Sequence, residues 1–243
     1  MNVKIFYRSA TVWNIILFVF MMFLFLYFQE GLLQARTTFD LEFLKIVSVK
    51  YLPFVGLLAF CALSVFRLKT AAKPLFILCS AIAALITANH LLENFSKLIT
   101  IALFLYILTS YYFYQFLKIE IDEAYYNPSY AEDDLFEPML TWLGCEVEDL
   151  STKKTYKAQL TNWNSNGCFV FFDEPLKKSK LRKVRLKTSL SSRPFESMGV
   201  VAAKASDGRG FGIKLQNKKE EDFGWKEFYS IIEQMGYNVE LLR

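Results

Sequence analysis

The chain has 243 residues, room for one large domain or two small ones, and 53% are hydrophobic, with 24 Phe and 13 Tyr. That is a high proportion for a soluble protein. The formal net charge of +4 is too small for a nucleic-acid-binding domain, which carries a strongly basic face, so no nucleic-acid partner is expected. The apolar excess lies before about residue 117 and the charge after it, which predicts two domains facing different solvents.

In the first half, 1–117, a membrane α-helical bundle of about four transmembrane helices is predicted, because a lipid-crossing helix needs roughly 17–25 mostly apolar residues. The runs 12–28, 74–92 and 98–117 meet that test. The run 51–66 meets it if the span begins near 46 and Lys50 reaches back to the interface. A signal peptide is the alternative for the first run, which is too long and lacks a small-residue cleavage site. Residues 30–50 alternate charge with Leu, Phe and Val, as an interfacial amphipathic helix would.

Lysine and arginine in short loops set orientation. Lys4 and Arg8 precede the first span, Arg67, Lys69 and Lys73 crowd the second loop, and Lys118 follows the last span, whereas Arg36, Lys45 and Lys50 dissent. The balance predicts both termini in the cytoplasm. Asn14, Asn89 and His90 are read as span-end residues within reach of water, not as a transport path.

Residues 118–139 are acidic, with Glu120, Asp122, Glu123, Glu132, Asp133, Asp134 and Glu137. They read as a linker that anionic lipid would repel. From 140 to 243 the pattern has the period of strands. Cys145, Val147 and Asp149 share one face; Tyr156, Ala158 and Leu160 return along another strand; residues 168–172 form a buried run. Val184, Leu186, Thr188 and Leu190 oppose Arg185 and Lys187, and Asp207-Gly208 marks a tight hairpin before Phe211, Ile213 and Leu215. A six-stranded barrel is predicted. A terminal α-helix closes the chain, capped by Asn217, stopped by Gly236, with Trp225, Phe228, Tyr229, Ile232 and Met235 on one face.

The stretch LTNWNSNGCFV at 160–170, followed by GVVAAKASDGRGFGIKL at 199–215, resembles the middle and end of a PilZ domain: an Asp/Asn-x-Ser-x-x-Gly loop leading into a strand, then a Gly-initiated hairpin. The resemblance covers roughly residues 140–236. It implies a PilZ-like cytoplasmic barrel, with cyclic di-GMP as ligand held by Asn162, Asn164 and Gly167. Asn164 stands where the family has Ser. The family's Arg-x-x-x-Arg segment is missing, because no arginine lies between Arg67 and Arg182, and lysine does not reproduce arginine's planar fork on phosphate. Lys153 and Lys157 have the spacing but fall in the first hairpin.

A basic stretch at Lys177, Lys178, Lys180, Arg182, Lys183, Arg185 and Lys187 is read either as an interaction surface or as a solvated hairpin face. No cofactor or metal is expected, since the four cysteines lack metal-ligand spacing and the lone His90 lies in the membrane half. No enzyme is expected, for want of a base, nucleophile or metal in mutual reach. The reading is a bacterial inner-membrane, multi-pass, PilZ-like signalling or adaptor protein, with the bilayer and a protein of the envelope as partners. A non-receptor scaffold and a small transporter with a regulatory domain are the alternatives.

Overall fold

The computed structural model describes residues 3–34, 41–126, 144–176, 181–190, 193–216 and 224–235. They fall into two compact units, Ser9–Ile121, and Met1–Arg8 together with Asp122–Arg243.

The first unit holds helices α1 (Ala10–Leu33), α2 (Leu41–Lys50), α3 (Leu52–Phe66), α4 (Ala72–Glu93) and α5 (Lys97–Ile121). By length and composition α1, α4 and α5 can each cross a membrane, and α2 with α3 makes a fourth crossing if the pair, bent by 82°, is one span. The bend is a correction to the continuous span expected at 46–66. Its cause is local: Pro53, the second residue of α3, has no N–H to carry the hydrogen-bond ladder back into α2. Ser9 starts α1 by accepting the Val12 N–H at 3.3 Å. The amphipathic helix expected at 30–50 is divided, because α1 runs on to Leu33 and α2 begins at Leu41.

Helices apolar all round leave their facing to packing. Ile15, Val19, Met22 and Leu26 of α1 are buried in one cluster with Phe76, Cys79 and Ala83 of α4, while Leu17, Phe20, Phe104 and Leu105 stay exposed. Stacked rings join α1 to α5, with Phe18 and Phe113 at 4.3 Å and Phe25 and Tyr106 at 4.5 Å. A knot of polar groups interrupts this core. Glu30, 3% exposed, accepts from Lys50 Nζ and the Tyr51 hydroxyl, and His90 Nε2 lies 3.5 Å away. His90 lies in the last turn of α4, at a span end as expected, but its side chain is 11% exposed and faces the Glu30 carboxylate, so it is not simply turned to water. Asn14 and Asn89 are exposed as expected.

The second unit is built on strands β1 (Val3–Ile5), β2 (Gly144–Asp149), β3 (Thr155–Asn164), β4 (Gly167–Phe171), β5 (Lys183–Leu190), β6 (Arg193–Ala205) and β7 (Gly210–Leu215), with helix α6 (Trp225–Gln234). All pairings are antiparallel, and the order β5-β2-β3-β4-β7-β6 closes on itself through β5–β6. This is the six-stranded barrel with terminal helix that the strand periodicity predicts. Alternation carries Val147, Leu160, Val170, Leu186, Phe211 and Ile213 into one core. The β6–β7 turn places Gly208 at φ 80°, where a side chain would be strained.

β1 is an addition that the sequence reading did not contain. β6 is long enough to serve three partners: β7 runs along one edge as far as Lys204, and on the other edge β5 stops at Val200 and β1 continues from Ala203 to Ala205. Residues 3–5 therefore belong to the barrel unit, a correction to the membrane half expected over 1–117. α6 begins after Gly224, its N-cap residue. Ser197 Oγ accepts the Trp225 N–H at 2.7 Å in the cap's place. Asn217 itself and Gly236 lie outside the described residues. All four cysteines are free, and burial pushes the Cys145 and Cys168 thiols far above their ordinary range, leaving them inert.

Candidate functional site

The β3–β4 turn is folded by its own asparagine. Asn164 Oδ1 accepts the N–H groups of Asn166 at 2.9 Å and Gly167 at 3.0 Å, an Asx turn that fixes the amide with its oxygen inward and its nitrogen outward. From behind, Trp225 Nε1 donates to the Asn164 carbonyl at 2.8 Å, and the Leu215 N–H donates to the Asn166 carbonyl at 2.9 Å. The turn is thus pinned to both β7 and α6.

Its outward donors are occupied by the chain itself. Asn164 Nδ2 donates to Glu123 Oε2 at 2.6 Å and Asn166 Nδ2 to Glu123 Oε1 at 2.8 Å, so one carboxylate sits in a fork of two amides. Glu123 is 6% exposed. Tyr125, two residues on, lies across β4 and β7. A Cβ added to Gly167 would fall 3.0 Å from Tyr125 Cδ1, and one added to Gly212 would fall 2.7 Å from the Tyr125 carbonyl carbon and closer still to its oxygen. Glycine at 212 is what allows the two backbones to touch. Tyr126 completes the seam by donating from its hydroxyl to the Tyr7 carbonyl at 3.2 Å. Lys214 Nζ stands 5.1 Å from the Tyr7 ring and 5.6 Å from the Tyr125 ring.

The residues expected to bind ligand are therefore brought together only in part. Asn164 and Gly167 share one hydrogen bond, and Asn162, two residues upstream on β3, is 9% exposed. Asn166, Glu123 and Tyr125, which complete the site, were missed. The sequence held one signal for them, an acidic residue close to the barrel in a segment where the resemblance leads one to look for cations. Residues 118–121 belong to α5, and residues 122–126 are an ordered part of the barrel unit where a linker was expected.

The basic run resolves into separate pieces. Arg185 and Lys187 of β5 meet Glu148 of β2 at 3.5 and 3.4 Å, and Lys187 also lies 3.7 Å from Glu196 of β6, so two of its cations are answered by neighbouring strands. Arg182 and Lys183 are exposed at the start of β5, and Lys177, Lys178 and Lys180 lie outside the described residues. Among the described residues, no group of three or more His, Cys, Asp or Glu side chains could hold a metal.

Among solved structures, the chain is similar to the crystal structure of the PilZ domain of CeSA from a cellulose-synthesizing bacterium, at 20% identity over 39% of this chain and 90% of that one, with a TM-score of 0.30. No protein-family model and no curated protein matches it.

Proposed function

We propose that the chain is a membrane-anchored, PilZ-like adaptor whose barrel acts by contact with an envelope protein, and that its β3–β4 turn does not bind cyclic di-GMP. The observation that carries this reading is the Glu123 carboxylate in the Asn164–Asn166 fork. Those amides are the turn's outward donors, and a second anion placed beside Glu123 would meet its charge. The arginine pair that would outweigh that repulsion is missing ahead of β2, since no arginine lies between Arg67 and Arg182.

The pairing of β1 with β6 supports four crossings. Residues 3–5, ahead of α1, and the strands that follow α5 build one sheet, so they share a side of any membrane and the helices between them cross it an even number of times. With α1, α4 and α5 long enough to span, the bent α2–α3 pair supplies the fourth. Lys4 and Arg8 before α1, Arg67, Lys69 and Lys73 after α3, and Lys118 near the end of α5 favour the cytoplasm for that side.

The test is calorimetric titration of cyclic di-GMP into the full chain in detergent, with Glu123→Ala alongside. No binding heat from either protein is the expected result. Micromolar binding by the wild-type chain would overturn the adaptor reading, and binding by Glu123→Ala alone would replace it with a receptor plugged by its own carboxylate.

A further inference from the structure

The β1–β6 ladder contains a cost that no carboxylate among the described residues offsets. Lys4 and Lys204 are direct cross-strand partners, so both side chains leave the same face of the sheet, and like charges in that position destabilise a strand pair. Lys204 Nζ is drawn toward the barrel end, where it donates to the Leu176 carbonyl at 2.8 Å and stands 4.9 Å from the Phe211 ring. Burial, and after it the Lys4 charge, hold the Lys204 ammonium below its ordinary pKa. A third cation is close by, because Arg182 gives its carbonyl to the Val201 N–H at 2.9 Å, at the point where β5 yields the β6 edge to β1. Among the described residues no carboxylate pairs with Lys4, Arg182 or Lys204.

Arg182 and Lys204 line an opening, and Lys4 stands beside it as the cross-strand partner of Lys204. A pocket of about 520 Å³ is lined by Phe6, Tyr7, Leu181, Arg182, Val200, Val201, Lys204 and Phe211, with no acid among the described residues of its wall. Phe6 is 61% exposed. It therefore pairs cationic groups with bare aromatic and aliphatic surface, the two kinds of contact that a lipid offers at its headgroup level. Tyr7 stands three residues before Ala10, the first residue of α1. Whatever the arrangement of the two units, that tether reaches no more than about 11 Å, so the pocket stays near the start of the first apolar run.

We infer that the pocket between β1 and the start of β5 is a binding site for the phosphate of an anionic lipid headgroup, with Lys4, Arg182 and Lys204 around the phosphate and Phe6 and Tyr7 against the glycerol and upper acyl chain. The inference rests on α1 being a membrane span and is independent of the adaptor role. It gives the Lys4–Lys204 pair a reason: an anion turns mutual repulsion into a shared attraction, and the lipid holds β1 on the barrel.

The test uses the full chain in a neutral detergent, titrated with phosphatidylglycerol or phosphatidylcholine. Retained lipid is counted by native mass spectrometry, and the thermal midpoint is followed in parallel. The expected result is retention of phosphatidylglycerol over phosphatidylcholine and a rise in midpoint with the anionic lipid only. Lys4→Gln combined with Arg182→Gln, both exposed side chains, should weaken retention by about 25-fold, at about fivefold per cation near a membrane surface. The same variant should melt higher than wild type without lipid, since the Lys4–Lys204 repulsion is gone, and gain nothing when phosphatidylglycerol is added. Lys153→Gln with Lys157→Gln, the same loss of charge in the β2–β3 hairpin, should leave retention unchanged.

Equal loss in that control, or no loss in the Lys4 and Arg182 variant, would overturn the site. Equal protection by soluble glycerol phosphate or GMP would overturn the lipid assignment in favour of a free phosphate ligand. A chain that stays dispersed without detergent and retains neither lipid would overturn the membrane reading on which the inference stands.

Discussion

Glu30 in the helical unit and Glu123 in the barrel unit are both buried carboxylates, and the two are held in opposite ways. Glu30 is surrounded by side chains from separate helices, Lys50 and Tyr51 at the α2–α3 break and His90 on α4, so it ties together elements that have few polar groups to spare. Glu123 is held by two amides on a turn that is already complete, with Asn164 engaged to the backbone and Trp225 behind it. The first carboxylate organises its surroundings, whereas the second docks onto a surface that exists without it. In lipid a polar group has few alternatives to its partners, while at the rim of a barrel water is an alternative partner and the fixed shape of the docked segment matters more than its charge.

The largest expected effect tests that last point. Gly212→Ala places a methyl group against the Tyr125 carbonyl, and a backbone atom cannot rotate away as a side-chain tip would. Overpacking of this kind costs about 3 kcal/mol, and the segment 122–126 should lift from β4 and β7 while the barrel core, which lies on the other face, stays formed. Hydrogen exchange read on the peptide that covers residues 122–126 should lose its protection. Unchanged protection would mean that the seam is held elsewhere.

Glu30→Gln should come second. The Tyr51 hydroxyl keeps an acceptor, but Lys50 loses its counter-charge and His90 its carboxylate. Because the Lys50 side chain is 51% exposed and can turn to water, the cost should stay near about 2 kcal/mol, below that of stripping a fully buried pair. The thermal midpoint in detergent should fall, and most of the loss should vanish when Lys50→Met is added, since no unpaired cation then remains. A double variant less stable than the single one would show that the knot is held by something other than charge.

How much of this was legible in the sequence follows from the same contrast between solvents. Strands that bury one face announce it residue by residue, and Val147, Leu186, Phe211 and Ile213 could be assigned to the core from alternation alone. Membrane helices announce their solvent but not their facing, since an apolar residue suits both lipid and core; nothing in the run 12–28 separates buried Met22 from exposed Met21. Short segments that borrow their structure from a partner were invisible. Val3–Ile5 is too brief to carry a period and becomes a strand only because β5 leaves the edge of β6 vacant beyond Val200. Glu123 and Tyr125 sit in an acidic stretch whose composition reads as solvated, and the glycines at 167 and 212 make room for Tyr125. The asparagine turn was found because its residues are local and its chemistry is short-range, but what fills it comes from 41 residues away.

The smallest expected effect concerns a carboxylate whose partners are entirely local. Asp149, 4% exposed, closes the β2–β3 hairpin by accepting the Ser151 N–H at 3.0 Å, the Ser151 hydroxyl at 2.7 Å and the Thr152 hydroxyl at 2.8 Å. Burial alone would raise its pKa, but these donors outweigh burial and hold the carboxyl below its ordinary value. A group whose folded pKa is depressed stabilises the fold above its unfolded pKa, about 4, and loses that contribution as pH falls through the folded value. Between pH 7 and 5 the midpoint gap between wild type and Asp149→Asn should therefore be constant, and below about pH 4 it should close as the wild-type carboxylate takes up its proton. Parallel profiles down to pH 3 would mean that the hairpin is held by its backbone, with the Lys153 N–H donating to the Asp149 carbonyl at 2.7 Å, and that the side chain adds nothing. Neither Glu30 nor Glu123 can be read this way, because removing either breaks a link between distant segments, whereas Asp149 reports only on the turn it closes.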